Sequence, residues 1–283
     1  MGDIILSNHV TIRLAVFLLV LAAMALWETL APRRRPLLTR LARWPHNLGI
    51  VALNTLLLRV LFPGAAVGMA LYAQSRGWGL LSATDVPDWL LVPVCVLLLD
   101  LAIYLQHVMF HAVPLFWRFH RMHHADLDFD VTTGARFHPV EIIASMLIKF
   151  AVIIVLGPPA LAVFLFEVLL NASSMFNHSN ARIVPAVDRI LRWLVVTPDM
   201  HRVHHSIEDD ETNSNFGFNL PWWDRLFGTY RDQPRAGHTE MTIGIAGFRE
   251  PQVCDQLPGM LLIPFSGGIG GYAINRREWE KRD

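Results

Sequence analysis

The residues best suited to chemistry are histidines. H-R-x-H-H occurs twice, as HRMHH at residues 120–124 and as HRVHH at residues 201–205. With 13 histidines in 283 residues, roughly 0.03 accidental copies of H-x-x-H-H are expected, so scattered surface histidines do not explain the pair. On a helix, positions i, i+3 and i+4 fall on one face, and each motif therefore presents three imidazoles together. His107 and His111 stand one turn apart in a further H-x-x-x-H, while His138 and His178 stand alone. Eight clustered imidazoles, with His178 a ninth, exceed the roughly four to six ligands of one ion, and two metals are implied. Imidazole suits iron, zinc, copper and nickel alike, which leaves the element open.

Other chemistries lack their residues. Only two cysteines are present, Cys95 and Cys254, too few for a disulfide framework or a four-thiolate cluster. A zinc hydrolase would want H-E-x-x-H, which does not occur. GIGGYA at residues 268–273 is no dinucleotide fingerprint, because about thirty residues of strand and helix would have to follow it. Formal charge is zero, with 24 basic and 24 acidic residues, so nothing argues for nucleic acid as a partner.

The elements that position these histidines must lie in a membrane. A hydrophobic content of 53%, 17% charged residues and a mean hydropathy of +0.37 are too apolar for an ordinary soluble domain of this length. Apolar runs cover residues 14–27, 47–73, 89–106 and 142–175. The second is interrupted by Arg59 and Pro63-Gly64, and the fourth has Gly157-Pro158-Pro159 at its middle and reads as a helical hairpin. The expectation is an all-α integral membrane protein with about four transmembrane helices: two single spans, a third carrying the first histidine box, and the hairpin. A cytoplasmic helical cap would hold the two-metal site.

Lys149 and Glu167 lie nine residues before and after Pro158, so antiparallel arms place them at one depth, where an ion pair offsets the cost of burial. Arg33, Arg34, Arg35, Arg40 and Arg43 crowd residues 31–46 without an acidic residue, which marks that loop as cytoplasmic. Counting spans from there puts every clustered histidine on the cytoplasmic face of a multi-pass protein. Asp100, Tyr104, His107 and His111 share a helix face, and Asp100 reads as an orienting group for a liganding histidine. The remaining histidines, His9, His46 and His238, read as surface residues. Arg121 and Arg202 read either as braces for carboxylates or headgroups or as solvated positions.

The stretches DLAIYLQHVMFH, RFHPVE, FNHSN, TPDMHRVHHS, NSNFG and WWDRLFGTY, together with the twin motifs, resemble the sterol desaturase and fatty acid hydroxylase superfamily over about residues 40–265. The resemblance implies a histidine-ligated di-iron oxygenase, with zinc as a substitute in isolation, that uses O2 and two external electrons to hydroxylate or desaturate a lipid. It assigns His107, His111, His120, His123, His124, His178, His201, His204 and His205 as metal ligands, with Asp100, Tyr104, His138 and Asn177 as catalytic or supporting residues. Two positions depart from the family pattern: Val108, where many relatives carry arginine, and Ser174, where some carry a further histidine. The latter leaves one metal a ligand short, for water, Asn177 or Glu141 to supply.

The implied partners are a sterol, fatty acyl, ether-lipid, carotenoid or amino-lipid substrate, and a separate electron donor such as a ferredoxin or a cytochrome b5-like protein. The implied organisation is an N-terminal span and basic loop (1–46), a catalytic membrane domain (47–230) and a cytoplasmic tail (231–283). Membrane metal binding or transport without oxygenase activity is the alternative from another class.

Overall fold

The computed structural model describes residues 2–268, so residues 269–283, with all but the first residue of the GIGGYA stretch, lie outside the description. A short helix α1, Gly2–Ser7, precedes α2, His9–Leu30. Helices α3, Arg40–Leu61, and α4, Ala65–Ser75, follow, interrupted where Pro63 lacks a backbone donor and restricts the residue before it. Helix α5, Asp88–Ala112, carries His107 and His111 on its last turns, and Pro114 at the first position starts α6, Pro114–His124. The hairpin arms are α7, Pro139–Leu156, and α8, Ala160–Asn177; two short helices, α9, Pro185–Leu191, and α10, Pro198–His204, come next. The described residues contain no strand beyond isolated bridges.

Five segments are long and apolar enough to cross a membrane: α2, α3 with α4, α5, α7 and α8. Each hairpin arm, at 18 residues, reaches about 27 Å and counts as a segment by itself. Gly157 turns the hairpin with φ +65, a left-handed conformation that costs glycine nothing. The close approach of the turn at Gly79 also requires it, since a Cβ on Gly157 would lie 2.4 Å from the Trp78 carbonyl oxygen.

Within the membrane layer, the small residues Ala66, Ala70 and Ala73 of α4 share a core with Leu99, Ile153, Val163 and Phe166 from α5, α7 and α8. Small side chains let helix backbones approach closely where lipid supplies no hydrophobic drive between helices. A second core at the histidine end gathers Ile50, Trp117, Met122, Ile245, Met260 and Ile263. Part of the region expected as a tail therefore packs beneath α6.

The expected ion pair is present, with Lys149 Nζ 2.9 Å from Glu167 Oε1, and Arg13 adds a third member, its guanidinium donating to Glu167 Oε2 at 2.7 Å. Arg13 thereby fastens the first span to α8. Glu167→Gln leaves two cations facing each other and should destabilise the protein by roughly 3–5 kcal/mol. Lys149→Met should cost less, because Arg13 still neutralises the carboxylate. Thermal unfolding of the two variants in detergent ranks them, and equal losses would contradict the shared-carboxylate arrangement.

Candidate metal centre

The nine clustered histidines are buried and fall into two groups. His107, His111, His120, His124 and His204 form one; His123, His178, His201 and His205 form the other. Within each group the candidate ligand atoms lie within 4.8 Å of one another. Adjacent residues on a helix diverge by about 100°, which is why the His-His dipeptides straddle the two groups. The first motif gives His120 and His124 to the five-histidine group and His123 to the other; the second gives His201 and His205 to the four-histidine group and returns His204.

Hydrogen bonds to oxygen fix how the rings face. The Nδ1 atoms of His107, His123, His178 and His204 meet the backbone carbonyls of Phe216 (2.8 Å), Arg136 (3.0 Å), Ser174 (2.7 Å) and Ser214 (2.7 Å). His120 Nδ1 meets Glu141 Oε1 at 2.6 Å. Carbonyl and carboxylate oxygens only accept, so each Nδ1 carries the proton and each neutral ring leaves a lone pair on Nε2. Burial, followed by the charges of neighbouring histidines, pushes His123, His124, His201 and His205 well below the ordinary imidazole value. Burial likewise lowers His204 well below it and His178 to about 3.

These lone pairs converge. His107 Nε2 lies 3.1 Å from that of His120 and 3.0 Å from that of His204, and His111 Nε2 is 3.1 Å from that of His124. In the second group, His178 Nε2 is 3.1 Å from both His123 Nε2 and His201 Nε2. Facing lone pairs repel, whereas a cation about 2.1 Å from each nitrogen would set neighbouring nitrogens about 3.0–3.4 Å apart. His205, with neither ring nitrogen hydrogen-bonded, is also free to contribute a lone pair. The donor set and its spacing therefore fit one metal ion per group.

Known proteins match the same region. Residues 92–229, which contain all nine histidines, match the family described as Fatty acid hydroxylase. This chain resembles the fatty acid hydroxylase family over that stretch, just under half of its length. It is 33% identical over 168 residues to an ornithine lipid hydroxylase of Rhizobium tropici, covering 59% of this chain and 48% of that protein. Identity to the alkylglycerol monooxygenase of Homo sapiens is 28% over 131 residues, covering 46% of this chain and 28% of that protein. Identity to the cholesterol 25-hydroxylase of Mus musculus is 26% over 146 residues, covering 50% of this chain and 47% of that protein. The matched region thus spans half or less of these relatives. No solved structure matches the chain.

The other expected residues lie around the imidazoles. The carboxylate of Asp100 accepts from Asn219 Nδ2 and Trp223 Nε1, both at 2.8 Å, and so meets a loop in place of the histidine expected. Tyr104 donates to Thr229 Oγ1 at 2.8 Å, and Thr229 donates in turn to Asp224. Asn177 Nδ2 donates to the Phe218 carbonyl at 2.9 Å. All three brace residues 213–230, the stretch whose carbonyls hold His107 and His204. His138 caps the start of α7, accepting from the Val140 amide at 3.2 Å, and belongs to neither histidine group. Glu141 backs His120 and does not replace the histidine that Ser174 lacks; Ser174 instead offers its carbonyl to His178.

His238, read as a surface residue, is buried, and of the two readings open for Arg121 and Arg202 the buried brace holds and the solvated position does not. Arg121 donates to the carbonyl of Ile263 at 2.7 Å and also to that of Ser266. Arg202 pairs with Asp199, and His238 lies 3.6 Å from the same carboxylate.

Several positioning groups escaped the sequence reading. Glu28, near the end of α2, accepts the amides of Val131 and Asn180 at 2.7 Å each, tying the first span to loops beside His124 and His178. A lone acid at a span end was the available signal. Arg43 binds Asp126 and Asp130, and Arg136, whose carbonyl orients His123, pairs with Asp255. Burial alone would raise the Asp126 carboxyl, but Arg43 and Arg136 hold it well below its usual range. Asn215 adopts φ +52 and bonds the carbonyls of Met200 and Arg231, stapling the loop to α10.

Gly134 has no room for a side chain, since a Cβ would meet the Ser174 carbonyl oxygen at 2.4 Å and His178 Nδ1 at 3.2 Å. Gly134→Ala should therefore displace the His178 acceptor and lower bound metal from about two ions per chain towards one, measured by elemental analysis; unchanged stoichiometry would refute that role. The histidines also predict a pH dependence. The unfolded forms of His123, His124, His201, His204 and His205 bind protons near pH 6.5, whereas the buried rings do not, so stability falls as pH drops through that value. Metal-stripped protein should unfold at a lower temperature at pH 5.5 than at 7.5, each histidine contributing up to about 1.4 kcal/mol per pH unit; a flat profile would contradict the neutral assignment.

Proposed function

We propose that this chain is a membrane-bound, O2-dependent di-iron enzyme that hydroxylates a lipid. The observation that carries the reading is the convergence of nine buried imidazoles into groups of five and four. Relatives named ornithine lipid hydroxylase, alkylglycerol monooxygenase and cholesterol 25-hydroxylase support lipid hydroxylation. They do not favour metal transport, and they favour hydroxylation over desaturation.

Two irons, when bound, would supply the O2-activating power that breaking an unactivated C–H bond requires and that no acid-base side chain has. The protein's part is to hold and to shield. Glu141 and the carbonyls of Phe216, Arg136, Ser174 and Ser214 fix the tautomers, and the carboxylate on His120 makes that ring the stronger electron donor. Phe137 stacks on His123 at 4.5 Å, and Phe216 and Phe218 lie against His107 at 5.5 and 5.0 Å. These rings keep water from a strong oxidant.

The site faces the cytoplasm in this reading. Arg33 and Arg43, from the basic loop and the start of α3, pair directly with Asp199 and Asp126 beside the histidine motifs, so that loop and the site share one side. Electrons come, in this reading, from a ferredoxin or cytochrome b5-like protein; the two cysteines, both buried, do not make an iron–sulfur cluster.

Purified protein should hold about two irons, and cells expressing it should gain a lipid heavier by one oxygen in comparative mass spectrometry. Loss of two hydrogens would reassign the reaction to desaturation. His204→Ala should abolish the product while leaving membrane insertion intact. Zinc alone, with no lipid-stimulated O2 uptake, would overturn the proposal.

A further inference from the structure

A cavity of about 230 Å³ lies beside α10, lined by Arg33, Asp188, Arg189, Arg192, Asp199 and His238 among others. Asp199 and His201 are separated by about 200° around that helix, so the cavity and the histidine groups occupy opposite faces of it. Several buried polar atoms at the cavity have no hydrogen-bond partner: both ring nitrogens of His238, Nε of Arg192 and Oδ1 of Asp188. His238 is only 5% exposed, and burial lowers its pKa to about 4. It is therefore neutral, with one nitrogen donating and one accepting. Its nearest carboxylate, Asp199 at 3.6 Å, is already engaged by Arg33 and Arg202. Asp188 and Asp232 both pair with Arg192, which leaves Arg189 without a carboxylate partner among the described residues.

Unmet donors and an unmet carboxylate oxygen in one cavity ask for a ligand carrying both signs. Arg189, the Arg192 Nε–H and His238 suit an oxyanion; Asp188 Oδ1 suits an N–H cation. The helix that supplies Asp188 and Arg189 says where such a ligand comes from. Val187 and Ile190 of α9 are 48% and 66% exposed, followed by Trp193 at 57% and Leu194 at 56%. By helical spacing Val187, Ile190 and Leu194 share the face opposite Asp188, Arg189 and Arg192. A polar cavity behind a short helix with an open apolar face, beyond the last span, matches the two ends of one lipid.

We propose that this cavity is a headgroup site for a zwitterionic membrane lipid bearing a primary ammonium and an oxyanion, whose chains lie against the apolar face of α9. The ammonium meets Asp188, and the phosphate or carboxylate meets Arg189, Arg192 and His238. The site is independent of the oxidative chemistry and stands whether or not the chain is a hydroxylase.

The test uses full-length protein in nanodiscs containing equal amounts of phosphatidylethanolamine and phosphatidylcholine, transferred to mild detergent, with retained lipid measured by native mass spectrometry. Phosphatidylethanolamine should be retained at least tenfold over phosphatidylcholine, whose quaternary ammonium has no N–H for Asp188. Arg189→Glu, on an exposed side chain, should reduce retention at least fivefold, and Asp188→Asn should remove the preference between the two lipids. Metal content is the control for folding. Equal retention of both lipids by the unmodified protein overturns ammonium recognition, and retention unchanged in a folded Arg189→Glu variant overturns the site. Free phosphoethanolamine displacing the lipid at equal concentration overturns the part assigned to α9.

Discussion

Lone pairs on neutral imidazoles repel, yet this fold drives Nε2 atoms to within 3.0–3.2 Å of one another. The surrounding structure has to work against that repulsion until a cation relieves it. It does so by taking hold of the opposite nitrogen. Each Nδ1–H bond to a carbonyl or carboxylate both aims a ring and fixes which nitrogen is bare. The loops that provide those oxygens are in turn secured by charges within the protein: Glu28 to two loop amides, Arg43 to Asp126 and Asp130, and Asp224 to the amides of Phe216 and Gly217. A metal bound here would couple to folding through this chain of constraints.

Much of the arrangement was legible because it depends on spacing. Four-residue and three-residue separations on helices dictate which imidazoles share a face, and equal distances from Pro158 brought Lys149 and Glu167 together. The partition of the histidines was not legible. It depends on how α6 and α10 approach one another, which turns each His-His pair across two groups. The carbonyl acceptors were invisible for a different reason: a backbone oxygen carries no residue identity, so nothing in the letters singles out Phe216, Ser214, Arg136 or Ser174. Asp100 and Tyr104 were found by sharing the helix face of His107, but helix periodicity does not reveal that their partners come from residues 219–229. His238 was read as exposed because it has no partner at ligand spacing in sequence, and its burial comes from contacts made by distant segments.

Membrane and cap are less separable than a list of spans suggests. The first span reaches the site through Glu28 and reaches α8 through Arg13, so its removal would cost more than an anchor. The same holds at the other end of the chain, where Arg136 pairs with Asp255 and Arg121 donates to carbonyls at residues 263–266.

The basic loop serves at two different times. Arg33 and Arg43 end neutralised by Asp199 and Asp126, and Arg40 by Glu28. Two of those three carboxylates are synthesised long after the arginines. While the early spans enter the bilayer, Arg33 and Arg43 still lack these counter-charges and could act as topological signals; once residues 126–199 arrive, the same two charges become struts. Two of the cations that would orient the chain thus end as struts between its segments.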